Sequence, residues 1–439
     1  MTKGVAIIGG GASGSLTALA IAGLPALGPV TLVDTGGAFA RGVAYATEDP
    51  VHLLNVPAGR MSAFADQPSH LLAWLAARGE PADPEAFLQR RLYGAYLGSL
   101  LQASGDRVHR RVARVEAITP EGPGLRLMLA GGETLEARAA VLALGNFAPE
   151  LPPGWATLPP RLAWRSPWGT AADWPAPEAE VLLLGAGLTA VDVVLSLDAR
   201  GHRGRIHLLS RRGLLPATHP ERSLPPVSLG PRPAGLRLLV RMFREAAAAE
   251  DPRALLDALR PELVAIWRAL SPAEQRRFLR HVRTWFDTLR HRLAPAVGAR
   301  VAALEAEGRL IRHAGRLVSV SEQAGRVALR IRPRGSRALA VLTVDLAIPT
   351  TGPVMDVRAL EEPLVRSLLA AGQARPGPHG LGFATSDAGA VLGPLQDRLW
   401  TLGGLRRGDV WETTAIPEIR VQARALAGTL AAALGPAAG

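Results

Sequence analysis

The hydrophobic and polar positions of this chain follow one syntax twice. Residues 4–8 (GVAII) form an unbroken apolar run of strand length. The glycine-rich GGGASG of residues 9–14 follows at once, then a small-residue stretch over 14–23 that reads as a helix. Residues 29–34 (PVTLVD) make a second apolar run that closes on an acid. The same order returns at 180–184 (EVLLL), with a helix over 187–199 and a strand over 205–210 (RIHLLS). Unbroken apolar strands are the mark of a sheet buried on both faces, so both units predict parallel strands covered by helices.

Between the units, the pattern predicts a polar helical segment near 68–103 and strand pairs near 107–118 and 124–138. Residues 139–153 (AAVLALGNFAPELPP) read as a strand, a Gly-Asn turn and a proline-rich linker. Prolines break residues 216–233 into a loop, and apolar residues at three-to-four spacing predict helices from about 234 to 298. Strands return over 309–349, and a last helix starts near Pro417, a residue suited to a first turn, and runs to about 434. The expected fold is α/β: two Rossmann-like dinucleotide-binding domains with an inserted helical subdomain.

Composition narrows the chemistry. The 439 residues suffice for two or three domains, and 48% hydrophobic residues with only 5% aromatic ones indicate an aliphatic core. The net charge of +12 comes from arginine spread along the chain, without a basic tail or basic–aromatic interleaving, so no nucleic-acid partner is expected. With no cysteine, disulfides, thiolate metal sites, iron–sulfur clusters and a redox-active CxxC are excluded, and no metal site is expected. The stretch Gly4–Val33 carries no charge, but its central glycines interrupt any spanning helix, so the expectation is a soluble, cytoplasmic protein.

The first loop has the full context of a dinucleotide fingerprint: a strand before it, a helix after it and Asp34 closing the next strand. Gly9 permits the tight turn, Gly11 lets backbone approach a pyrophosphate, Gly14 lets helix and strand pack, and Asp34 accepts from a ribose diol. The second loop is Gly185-Ala186-Gly187-Leu188-Thr189-Ala190, and after its strand stand Arg211 and Arg212 where the first unit has an acid. Arginine holds a 2′-phosphate that a carboxylate would repel, so this unit reads as an NADPH site, with NADH left open. Two different dinucleotides suggest a relay in which a nicotinamide hands a hydride to a flavin.

The order GGGASG, LALGNFAPELP, GAGLTAVD, SRRG and TTGP resembles flavoproteins with two dinucleotide-binding domains, flavin-containing monooxygenases among them. GVAYATEDPVHLLNVPAGRMSAF, RTWFDTLRHRLAP and LRRGDVWETTAIPEIRVQA are similar to bacterial FAD/NAD(P)-binding proteins that include a urate hydroxylase and amino-acid N-oxidising relatives. The resemblance implies an FAD domain from residues 1–152 and 350–439, an NADPH domain from 153–349, and a substrate lid at 232–298. It implies that Gly9, Gly11, Gly14, Asp34 and Gly145 hold FAD and that Gly185, Gly187, Ala190, Arg211 and Arg212 face NADPH. Thr351 and Gly352 are then a flavin-facing turn, and Thr414 and Ala415 begin a helix whose positive end meets the reduced ring. Asn55 stands at the flavin's reactive edge, with His52 beside it, as candidate catalytic groups. Arg290 and His291 are candidates for binding an anionic part of the substrate.

The leading expectation is an NADPH-dependent flavin monooxygenase that uses O₂, through a flavin C4a-hydroperoxide, to hydroxylate or N-oxidise a small polar molecule such as an amino acid, amine or purine. A flavin reductase serving a quinone or protein acceptor is the second reading, and a non-catalytic flavin-bound sensor the third. No membrane association is expected, a homo-oligomer is left open, and the substrate is not named by the sequence.

Overall fold

The computed structural model describes residues 4–168 and 174–435. Two sheets organise it. The first is parallel throughout, in the order Leu399–Thr401, Ala139–Leu142, Val5–Ile8, Val30–Asp34, Val108–Val112. Its central strands Val5–Ile8 and Ala139–Leu142 are buried at every position, as their unbroken apolar runs require. Helix Ala12–Ala22 covers one face and is itself packed against helix Ile416–Leu434, through Leu16 and Ile21 on one side and Ile419, Ala423 and Leu426 on the other. Segments from the two ends of the chain thereby share one core.

The second sheet runs Ala340–Val344, Arg326–Pro333, Leu310–Gln323, Ile206–Ser210, Val181–Leu184, Leu346–Pro349. Strand Leu310–Gln323 serves two partners. Its first part pairs parallel with Ile206–Ser210, and from Gly315 onward it pairs antiparallel with Arg326–Pro333. Helix Leu188–Ala199 lies on this sheet with Val191, Val194 and Leu195 buried beneath it. A separate antiparallel meander, Val115–Glu121, Gly124–Leu129 and Thr134–Ala137, flanks the first sheet.

Two long helical stretches are broken where proline dictates. The segment expected near 68–103 divides into His70–Ala77 and Arg90–Ala103, with Pro81 and Pro84 between them. The stretch from 234 to 298 becomes a series of short helices. Proline stands in the first turn of Pro252–Leu259, Pro272–Arg277 and Pro295–Ala306, where its missing N–H costs nothing. Asp251 caps the first of these, and Ser271 with Glu274 forms a capping box on the second. Among the described residues no helix is long and apolar enough to cross a membrane.

Candidate active site between two glycine loops

The first loop is shaped by approaches that only glycine allows. Gly9 has φ of +108°, and a Cβ there would lie 2.2 Å from the carbonyl oxygen of Ala143, just beyond the adjacent strand. A Cβ on Gly14 would lie 1.8 Å from the Gly9 carbonyl oxygen, so the helix seats on the loop because this position is bare. Gly11 faces open space apart from Gly42, whose Cα would be 3.3 Å from a Cβ there. It is the N-cap of helix Ala12–Ala22, with no side-chain cap and no acid in the first turn. Such a helix start offers backbone donors and the positive end of a dipole to an anion. The Asp34 carboxylate accepts from Gly10 N (2.7 Å) and Gly36 N (2.8 Å), which fixes the loop and leaves lone pairs over for a diol.

The second loop repeats this geometry. Gly185 has φ of +127°, and a Cβ there would lie 2.2 Å from the carbonyl oxygen of Thr350. Gly187 caps helix Leu188–Ala199 without a side-chain cap or a first-turn acid, and nothing lies within 4 Å of a Cβ built on it. Ala190 is fully buried. Beyond the strand, Ser210 Oγ accepts from Gly213 N (3.0 Å) and sets the turn that carries Arg211 and Arg212. Burial and the nearby Arg283, Arg316 and Arg212 depress the Arg211 pKa, as expected where cations gather. Arg212 donates to the His281 carbonyl (3.3 Å) and sits 5.7 Å over the ring of Trp285, which is 49% exposed.

The strand ends beside the two loops are equivalent as well. Gly145, φ +70°, follows Ala143 by two residues, and Gly352, φ +83°, follows Thr350 by two. Thr350 N donates to Leu184 O (2.9 Å) and its Oγ1 to Gly185 O (3.3 Å). Thr351 and Gly352 therefore follow the strand beside the second loop, and the same turn reaches the first domain, where Val354 N donates to Ala148 O (3.4 Å). Gly145 is the matching element at the first loop. There it meets the turn at Gly403 and Gly404: a Cβ on Gly404 would be 3.5 Å from Gly145 O, and one on Gly403 3.8 Å from Ser13 Oγ. Buried Thr413 donates to Gly403 O (3.2 Å), and Ala415 caps helix Ile416–Leu434 without a side-chain bond. Thr414 Oγ1 accepts from Arg407 Nη2 at 3.4 Å.

His52 has a different role from the one expected. It is 3% exposed, its Nδ1 pairs with Thr47 Oγ1 (2.7 Å), and its Nε2 faces Ser196 Oγ (2.9 Å) and Asp192 O (3.2 Å). With both nitrogens taken up it is a strut onto helix Leu188–Ala199 and has none free for proton transfer. The same helix face receives a two-pronged ion pair, Arg90 Nη1–Asp192 Oδ2 (2.7 Å) and Nη2–Oδ1 (3.1 Å). Burial pushes the Asp192 carboxyl up, and Arg90 and His52 pull it back. Asp49 adds a third tie, accepting from Ser196 Oγ and Arg200 Nη1, both at 2.7 Å. Asp192, Ser196 and Arg200 stand one turn apart on that face. Half-buried Asn55 gives its carbonyl to His219 Nε2 (3.0 Å), and its side-chain amide makes no hydrogen bond among the described residues.

Arg290 is likewise spent within the protein. Its Nε lies 2.7 Å from Glu412 Oε2 and its Nη2 3.3 Å from Glu418 Oε1, the former an ion pair without hydrogen-bond alignment. Arg260 holds the same Glu418 oxygen at 2.6 and 3.0 Å. Arg290 thus ties the helical segment to the start of helix Ile416–Leu434, and a substrate carboxylate would compete with two acids already in place. His291 is held neutral: burial, with Arg290, Arg407 and Arg283 around it, brings its pKa down to about 3. Asp287 Oδ1 is 4.0 Å from its Nε2, too far for an orienting hydrogen bond.

The two loops fit two dinucleotides by the features just described: bare helix starts, glycines at close approaches, an acid on one side and an arginine pair on the other. Comparison with known proteins agrees. Residues 6–147 match a family model described as FAD-NAD(P)-binding. No curated protein sequence matches the chain. Among solved structures it is similar to an ornithine N-hydroxylase from Kutzneria sp. 744, with 15% identity and a TM-score of 0.70 over 98% of this chain and 99% of that one. It is similar to L-lysine 6-monooxygenase from Pseudomonas syringae, at 18% identity and TM-score 0.69 over 98% and 100%. It is also similar to a cadaverine monooxygenase from Erwinia amylovora, at 14% and 0.70 over 98% and 95%. At these identities the likeness establishes a common fold from end to end.

Proposed function

We propose that the chain is an NADPH-dependent FAD monooxygenase that oxygenates the nitrogen or another centre of a small amine or amino acid, acting in the cytoplasm. One observation carries this reading: two glycine loops of equivalent geometry, one followed by an acid and the other by an arginine pair, on sheets clamped together by His52, Arg90 and Asp49. In this reading residues 1–152 and 350–439 hold FAD, 153–349 hold NADPH, and 232–298 close over the substrate.

Gly9, Gly11 and Gly14 would let the FAD pyrophosphate rest on the start of helix Ala12–Ala22, and Asp34 would take the ribose diol. Gly187 and Ala190 would do the same for NADPH, with Arg211 and Arg212 on its 2′-phosphate. Bound flavin supplies the redox chemistry, accepting a hydride equivalent and passing electrons to O₂. The chain's own task is orientation and exclusion of water. The start of helix Ile416–Leu434, near Thr414 and Ala415, stabilises negative charge beside it, and the Asn55 amide is a donor without a partner among the described residues. The names of the structural neighbours support an amine or amino-acid substrate. An anionic recognition element at Arg290 and His291 is no longer part of this reading.

The test is anaerobic mixing of the purified flavoprotein with NADPH and with NADH, followed by oxygen uptake with a panel of amines and amino acids. The reading requires faster bleaching by NADPH and substrate-dependent formation of an oxygenated product. Bleaching with turnover only on a quinone would make the protein a reductase. No bleaching by either nucleotide would make it a binding protein.

A further inference from the structure

A basic groove lies between helix Leu236–Ala246 and the wall formed by Pro272–Arg277 and Phe278–Val282. Its cavity is about 710 Å³, within the range of about 300–1,000 Å³ usual for small-molecule sites. Arg237, Arg241 and Arg244 line one side and Arg277 the other, over an apolar floor of Leu236, Val240 and Val282. Among the described residues none of these four guanidiniums has an ion pair or a hydrogen bond. That sets them apart from Arg253, Arg260, Arg290 and Arg292 of the same helical segment, each of which holds a carboxylate.

Two acids reach the groove and do not neutralise it. Glu274 is committed to the local fold, with Oε1 accepting from Leu236 N (2.9 Å) and Oε2 from Ser271 N (3.0 Å). Glu245 is a single exposed carboxylate against four cations. Arg237, Arg241 and Arg244 are spaced by four and three residues, so they stand on one helix face and repel each other. Their far wall includes a π-helical turn, Phe278–Val282, a backbone irregularity common at binding sites. His281 is the one ring that the lining includes, and no Phe, Tyr or Trp accompanies it.

We propose that this groove binds a long-chain carboxylate, its head group among Arg237, Arg241, Arg244 and Arg277 and its aliphatic tail along Val240 and Val282. The four exposed cations, without an ion pair among the described residues, attract an anion, the apolar lining favours an aliphatic partner, and the concave shape favours a single inserted chain over a flat bilayer. The groove adjoins the turn after the second loop, since Arg212 donates to the carbonyl of His281 in its wall (3.3 Å), but neither glycine loop lines it.

Calorimetric titration of the full chain tests this with decanoate, the uncharged decyl glucoside, inorganic phosphate and anionic vesicles. Decanoate is expected to bind one to one, more weakly at high salt, with the glucoside and phosphate each weaker by about tenfold or more. Arg241→Glu with Arg277→Glu should weaken decanoate by about tenfold or more. Val240→Trp should block the floor without touching the charge, and keeps the test usable if the charge reversal fails to fold. Absence of decanoate binding, equal binding of the glucoside, unchanged affinity in folded variants, or binding to vesicles alone would each overturn the proposal.

Discussion

Gly185 packs its bare Cα against Thr350 so closely that a Cβ would lie 2.2 Å from the threonine's carbonyl oxygen. Gly9 stands in the same relation, at the same distance, to Ala143. Both glycines also have positive φ, so alanine at either is strained twice over. Gly185→Ala is expected to keep its FAD and to lose bleaching by NADPH, whereas Gly9→Ala should lose FAD itself. Flavin content per protein and anaerobic bleaching rates separate the two. A Gly185→Ala protein that bleaches at the parental rate would detach the second loop from the hydride donor.

The Arg90–Asp192 pair is buried, with side chains 14% and 8% exposed, so removing one partner strands a charge. Arg90→Met or Asp192→Leu alone is expected to cost about 3–5 kcal/mol of stability. The double variant should regain most of that loss, since the two apolar side chains replace the pair without leaving an orphan. Urea unfolding of the four proteins gives the cycle. Additive losses would show that the pair does not act as a unit.

Arg290 separates a structural from a substrate-binding role. It is 7% exposed on its side chain, and Glu412 13%. Arg290→Met should lower stability by about 3 kcal/mol and leave the KM for substrate within about twofold in the protein that remains folded. A large rise in KM with unchanged melting temperature would restore it to the substrate site.

The sequence carried the two glycine loops, their strands and the last helix plainly, because each is written in consecutive residues. Residues 4–8 and 181–184 are apolar without interruption, and each forms an interior strand flanked by a strand on either side. What stayed hidden was pairing between distant segments. Arg290 reads locally as an exposed helix cation, and its acid Glu418 is 128 positions away. His52 reads as a group near the flavin, and the Ser196 that consumes its Nε2 is 144 positions away. The position of Thr351 and Gly352 depends on pairing as well. A glycine turn after a strand looks the same whichever sheet the strand joins, and only the pairing of Leu346–Pro349 with Val181–Leu184 assigns it.

Buried neutral histidines predict acid sensitivity. His207 is 5% exposed, its Nδ1 faces His313 Nε2 at 2.9 Å, and burial with that neighbour brings its pKa down to about 4. The unfolded chain, with histidine near 6.5, binds the proton first. Stability is therefore full above about pH 6.5 and falls as pH drops toward 4, by on the order of 3 kcal/mol from this group alone. Urea midpoints across that window measure the slope. His207→Gln should flatten it, and an unchanged slope would assign the sensitivity to other groups such as His219, also brought down to about 4.

Discrimination between NADPH and NADH rests on the turn after Ser210. Arg211 lies in a field set by Arg283, Arg316 and Arg212, so a 2′-phosphate there would meet several cations together. Arg212 is held by the His281 carbonyl and by Trp285, which fixes its fork in place. Replacing Arg211 with Gln removes one charge and keeps the polar contact surface. The expected result is NADPH binding weaker by about tenfold, with NADH nearly unchanged, because only the phosphate loses a partner. Arg211→Gln with Arg212→Gln should bring the two nucleotides close to equal affinity. Titration of each nucleotide against the oxidised protein reads this without turnover. Equal weakening of both would mean that these arginines hold the adenosine or the loop and not the phosphate.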